Sequence, residues 1–262
     1  MLREEEFFLG CRHILMFGSD IHTINSEMVK SWLDVNKLTK DDIDGIRLSD
    51  SVMAITNGSF SDFENLACVH LGKNIRSIGD KAFFNCSNLK FINDDFSKVS
   101  AIPRSVWQIG DFAFSGCGIE KWKNDKLSVT DLGRGIFEHS KMGTAVQLKN
   151  QCEIPEYMYS RCNLKTVDLS KEITTIRDYA FKDTIIEMLH FVEPYSLKIE
   201  DKAFSGAMIK AVFIDSMTLV IKNTDVLKAD SLAIYEGSAM EEFLKNLHKS
   251  DILKRVTLIR SG

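Results

Sequence analysis

Six cysteines, six histidines and an evenly spaced row of aspartates and asparagines are the residues of this chain that could do chemistry. Cysteine beside histidine can make a nucleophile or a zinc site, and grouped carboxylates can serve acid–base or metal chemistry. The spacing argues against each. Cys11, Cys68, Cys86, Cys117, Cys152 and Cys162 form no C-x-x-C pair, and His13, His22, His70, His139, His190 and His248 stand singly. There is no G-x-S-x-G elbow, no H-E-x-x-H, no phosphate-binding glycine loop and no dinucleotide fingerprint. The reading is of a protein that is not an enzyme, with no catalytic residue, no cofactor and no metal ligand.

What must position these residues is a repeat. An aliphatic residue is followed five positions later by an aromatic or aliphatic one at Ile24/Val29, Ile55/Phe60, Ile78/Phe83, Ile109/Phe114, Leu132/Phe137, Ile154/Tyr159, Ile176/Phe181, Ile199/Phe204 and Ile221/Val226. The aliphatic member recurs at steps of 31, 23, 31, 23, 22, 22, 23 and 22. A period in the low twenties held over so long a stretch is the signature of a solenoid, whose units bury their apolar faces only against their neighbours. One continuous domain is expected over 1–262, with an N-terminal cap at 1–13, about nine repeats over 14–235 and a C-terminal cap at 236–262.

In the copy running from Val69 to Leu89, Val69-His70-Leu71 alternates as a short half-buried strand should. Gly79 is read as permitting a tight bend and Lys81-Ala82-Phe83 as one helical turn, with Asp80 as its N-cap. The same position holds Ser26, Asn57, Asp111, Asp178, Asp201 and Asn223, while Arg134 and Glu156 depart. The row of acids therefore has a local backbone role. Cys86, Cys117 and Cys162 each lie three residues after the aromatic of their copy, so they are read as reduced core residues. The sequons Asn57-Gly58-Ser59 and Asn85-Cys86-Ser87 fall in the same turn and are read as turn residues.

The residues carry a family likeness. Ile102-Pro103-Arg104-Ser105-Val106-Trp107-Gln108-Ile109-Gly110-Asp111-Phe112-Ala113-Phe114-Ser115-Gly116-Cys117 resembles the unit of the BspA-like leucine-rich-repeat family, "I-P-x-S-V-x-x-I-G-x-x-A-F-x-x-C-x-x-L". The likeness runs from about Ile14 to the end of the chain. It implies a right-handed leucine-rich-repeat solenoid with a parallel β-sheet on the concave face and short helical turns and loops on the other side. It also implies surface attachment or partner binding. Copy one, near Ile21–Leu38, keeps only the spacing, and the Leu132 copy replaces the turn with Gly133-Arg134-Gly135-Ile136-Phe137. The two long steps each insert about eight residues. The first insert is expected to be a helix through Glu27–Val35, with Met28, Trp32 and Val35 at helical spacing; the second lies near Asn93–Ser100. Ser238-Ala239-Met240-Glu241 fits a capping box opening a helix to about His248, with a closing strand over Lys254–Ile259.

Bulk properties narrow the partners. In 262 residues, 44% hydrophobic and 27% charged residues describe a folded chain, and a net charge of −4 disfavours nucleic acid. No stretch approaches eighteen uninterrupted apolar residues, so no membrane span is expected. Met1-Leu2-Arg3-Glu4-Glu5-Glu6 carries acids where a secretory leader would carry cations, which favours a cytoplasmic setting; a secreted or cell-surface setting would require a leader. The central residue of each strand points outward on the concave sheet, which nominates Arg47, His70, Gln147, Asp168, His190 and Phe213, with Tyr235 flanking the last strand. Nine strands about 4.8 Å apart would make a face roughly 40 Å long. The expected function is non-enzymatic binding of another macromolecule, a protein first. A carbohydrate-binding adhesin using His190, Phe213 and Tyr235, or a structural spacer in a larger assembly, are the alternatives.

Overall fold

The structure, a computed structural model, describes residues 4–97, 99–122, 129–145, 152–192, 196–247 and 250–260. They belong to two compact units, Met1–Met142 with Leu148–Asn150 and Gly143–Gln147 with Gln151–Gly262. Each unit is a parallel β-solenoid, built from coils that repeat the sequence period.

The first unit opens with a short helix α1 (Glu4–Phe7). It then stacks strands β1 (Ile14–Phe17), β2 (Gly45–Leu48), β3 (Cys68–His70) and β4 (Phe91–Asn93) into one parallel sheet in chain order. Helix α2 (Ser26–Asn36) fills the first long step. A second parallel ladder pairs Thr23–Ile24, Ala54–Ile55, Ser77–Ile78, Gln108–Ile109 and Asp131–Leu132. Leu15, Ile46, Val69 and Ile92 lie in register across the main sheet and are fully buried. The second unit has the same plan: β5 (Asn163–Leu169), β6 (Ile185–Val192), β7 (Met208–Asp215), β8 (Ser231–Tyr235) and β9 (Val256–Ile259), closed by helix α3 (Ala239–Asn246). Its short ladder pairs Glu153–Ile154, Thr175–Ile176 and Lys198–Ile199.

The five-residue beat is a core motif. In the first unit the rings of Phe60, Phe83, Phe114 and Phe137 stack with centroids 5.4, 5.5 and 6.1 Å apart. In the second, Tyr159, Phe181 and Phe204 stack at 5.5 and 4.9 Å. These rings have almost no exposed surface, so each is covered only because its neighbours are present. The in-phase cysteines complete the coil. Cys86 donates its S–H to the Phe60 carbonyl and Cys117 to that of Phe83, each at 3.1 Å; Thr184, in the same phase, donates to the Tyr159 carbonyl at 2.7 Å. Burial pushes the Cys86 thiol up to about 12, so it stays protonated and unreactive.

The turn differs from the expected capped helical turn. Asn57 Oδ1 accepts from the Asp80 N–H, Asp80 Oδ1 from that of Asp111, and Asp111 Oδ1 from that of Arg134, at 2.9, 2.8 and 2.9 Å. These side chains bond the next coil rather than their own turn. Asp178 does likewise with the Lys202 N–H, whereas Asn223 does cap its own turn through Asp225 and Val226. The glycine role changes with this. A Cβ on Gly79 would lie 2.5 Å from Asn57 Oδ1 and one on Gly110 2.3 Å from Asp80 Oδ1, so glycine makes room for the neighbour's side chain. The left-handed backbone falls further on: Lys81 and Asn85 have φ of 54° and 58°. That geometry lets alternate residues Lys81, Phe83 and Asn85 donate N–H bonds to Asp111, Ala113 and Ser115 of the next coil.

The inserts and cap also refine the expectation. Asn25, not Ser26, caps α2 by accepting from the Met28 N–H, and α2 buries Val29 and Leu33 while Val35 is exposed. Ser238 caps α3 by accepting from the Glu241 N–H, and the Glu241 carboxylate accepts from Gly237 N–H in a shifted capping box. The helix ends at Asn246, and His248 lies outside the described residues.

Candidate functional site

Side chains pointing away from the coil interior fall into rows set by the parallel register. In the second unit Asp168, His190, Phe213, Ala233 and Thr257 form one row, and Thr166, Met188, Ala211 and Ser231 the next. The first row is a connected array. His190 Nδ1 lies 3.3 Å from Asp168 Oδ1, and the His190 ring stacks on Phe213 with centroids 4.8 Å apart. Phe213 meets Tyr235 edge-on at 6.3 Å, and the Tyr235 hydroxyl donates to Asp215 Oδ1 at 3.0 Å. Asp215 Oδ2 also lies 3.9 Å from His190 Nε2. A pair of aromatic planes is thus held between two carboxylates, with His190 and Asp215 about three-quarters withdrawn from solvent and Asp168 exposed. Sequence phase nominated four of these residues. It missed Asp215, although Asp215 lies two residues beyond Phe213 on the same strand and so on the same face.

The first unit treats its equivalent row otherwise. Met16, Arg47, His70 and Asn93 are in register, but His70 is only 8% exposed, which corrects its expected outward display. The ring of Phe96, from the second insert, lies flat on it with centroids 3.8 Å apart. Asn93 is fully buried and ties that insert down by donating to the carbonyls of Ser97 and Val99. Arg47 is held by Glu4 of α1 at 2.7 Å. The adjoining row, Ile14, Gly45, Cys68 and Phe91, lies under Phe7 and Phe8, whose rings also pack on Phe96 at 5.6 and 6.4 Å. Burial, reinforced by the Arg47 charge, pushes the His70 pKa down to about 4, so the ring is neutral at physiological pH. A cleft of about 530 Å³ remains beside it, lined by Arg47, Asp50, His70, Lys73, Asp94 and Phe96 among others. Gln147, the remaining nominated residue, lies outside the described residues.

No group of three or more His, Cys, Asp or Glu among the described residues could hold a metal ion. No helix among them is long and apolar enough to cross a membrane.

Stacked parallel coils with a buried ring per coil and outward rows on one sheet define a solenoid of the leucine-rich-repeat type. The BspA type leucine rich repeat region matches residues 32–102 and 90–210 in six copies, and the chain belongs to that family. Among solved structures, the chain is similar to a leucine-rich repeat protein from Bacteroides ovatus, with a TM-score of 0.53 and 16% identity over 78% of this chain and 64% of that one. The chain thus spans less than two thirds of that protein's length. The pneumococcal vaccine antigen PcpA is a more distant likeness, with a TM-score of 0.44 and 13% identity over 95% of this chain and 79% of that one. Comparison with the curated proteins gives no match. Solenoids of this family are in general non-catalytic.

Proposed function

We propose that the chain is a non-enzymatic binding module whose contact surface is the outward sheet face of the second unit, and that its ligand is a protein. The observation that carries this reading is the connected array Asp168–His190–Phe213–Tyr235–Asp215. Large rings fixed by neighbours lose little side-chain freedom on binding, and rings with polar edges are what interface anchors are made of. The exposed methionines Met188 and Met208 extend the same sheet with adaptable apolar surface. Membership of the BspA type leucine-rich-repeat family supports a binding role.

The test is a binding comparison of the intact chain with Phe213→Ala/Tyr235→Ala and with Arg47→Ala, on protein and on glycan arrays. The expected result is protein capture that falls more than ten-fold in the double variant and is unchanged in Arg47→Ala. Glycan capture lost in the same double variant would replace the protein reading with the carbohydrate one. Capture indifferent to both changes would remove this face as the site.

A further inference from the structure

Three cysteines, Cys11, Cys68 and Cys152, fall outside the repeat phase, and the fold brings the first two together. Cys11 Sγ and Cys68 Sγ lie 3.4 Å apart although 57 residues separate them in sequence, and both are free thiols. Cys68 is an outward residue of β3, buried beneath Phe7 and Phe8, while Cys11 is half-buried at the end of the segment that carries those rings. The approach is built rather than casual. The Asp44 carboxylate accepts the backbone N–H groups of Arg12 and His13 at 2.7 and 3.0 Å, which fixes the chain next to Cys11. Gly45 lies under the contact, where a Cβ would stand 3.1 Å from Phe8 and 3.3 Å from Cys11 Sγ.

We propose that Cys11 and Cys68 form a redox latch. Their disulfide staples the segment of residues 4–11 over the sheet face of the first unit, and its reduction lets that segment lift and release Arg47 from Glu4. The oxidant class is a low-molecular-weight disulfide such as oxidised glutathione. Cys11 thiolate attacks one glutathione sulfur, forming a mixed disulfide and releasing one glutathione thiolate, which takes up the proton Cys11 gave. Cys68 then loses its proton to solvent and attacks Cys11 Sγ, expelling the second glutathione. Two protein thiols and one oxidised glutathione give one protein disulfide and two glutathione thiols. The order follows from access and acidity. Cys11 is the more accessible partner, and the hydrogen bond donated by Cys68 lowers its pKa, while that bond and burial raise the Cys68 thiol. A disulfide needs its sulfurs at about 2.05 Å, so the pair closes by an approach of roughly 1.3 Å.

The test uses the full chain carrying Cys152→Ser, which removes the exposed thiol. The protein is equilibrated with oxidised or reduced glutathione, alkylated, and mapped by mass spectrometry without reduction. The expected result is a single linked peptide containing Cys11 and Cys68, with Cys86, Cys117 and Cys162 still free. Hydrogen exchange at the Phe8 and Cys11 amides, which bond the Glu4 and Phe8 carbonyls, should be at least ten-fold slower in the oxidised chain. Comparing two redox states of one chain avoids any question of whether a cysteine variant folds. Retention of all five thiols, a stable glutathione adduct at Cys11, or a linked peptide with unchanged exchange would each overturn the latch.

Discussion

The two units carry the same sheet and treat its outward face in opposite ways. In the first, Phe96 lies on His70, Glu4 holds Arg47, and Phe7 and Phe8 roof the adjoining row. In the second, the corresponding rings of His190 and Phe213 stack on each other and both stay partly exposed. The difference does not come from the strands, which place a histidine in the same phase in both. It comes from what lies outside the repeat: an N-terminal segment and an eight-residue insert supply the cover in the first unit. A face that the chain covers itself is part of its core; the partly exposed one is the face proposed above as the contact surface.

The comparison rests first on both units having equivalent interiors. Phe83→Ala in the first and Phe181→Ala in the second should each cost about 3–5 kcal/mol; a urea midpoint unchanged in either would break the assignment of the ring stack. The next largest effect separates the faces. Phe96→Ala should cost about 2–3 kcal/mol because it strips the cover from His70, while Phe213→Ala should cost less than about 1 kcal/mol. Equal costs in denaturant titrations would erase the distinction.

Acid sharpens it further. His70 has a folded-state pKa near 4, below the roughly 6.5 of an unfolded chain, so the unfolded state takes the proton first as pH falls. Stability is therefore complete above about pH 6.5 and is lost progressively towards pH 4, at no more than about 1.4 kcal/mol per pH unit. Melts between those limits should show a shallower slope for His70→Gln than for the parent chain; parallel slopes would mean that Phe96 does not desolvate the ring. The most local effect is expected from Gly45→Ala. Its new methyl would press on Phe8 and Cys11, costing about 1 kcal/mol and speeding amide exchange in residues 4–11 but nowhere in the second unit.

How much of this could be read from sequence follows from which residues obey the period. Ile78 and Phe83 recur because every coil must fill the same interior, so the stack and the strand register were legible. That register also brings Asp168, His190 and Phe213 into one row. The role of Asp80 was not legible in full. A carboxylate that caps its own turn and one that bonds the next coil occupy the same position in the sequence, and only the backbone path separates them. Nor could the burial of His70 be foreseen. Phe7, Phe8 and Phe96 lie in aperiodic segments, and nothing in their spacing says which strand they return to.

The side-chain ladder has one more consequence. Asn57 reaches Asp80 across 23 residues and Asp80 reaches Asp111 across 31, with bonds of 2.9 and 2.8 Å. The rungs are blind to how much chain runs between them. A lineage could therefore lengthen or shorten a loop without disturbing the stack, and each such change would decide only which patch of sheet is roofed and which is left bare. Shape and exposure are, in this molecule, separately inheritable traits.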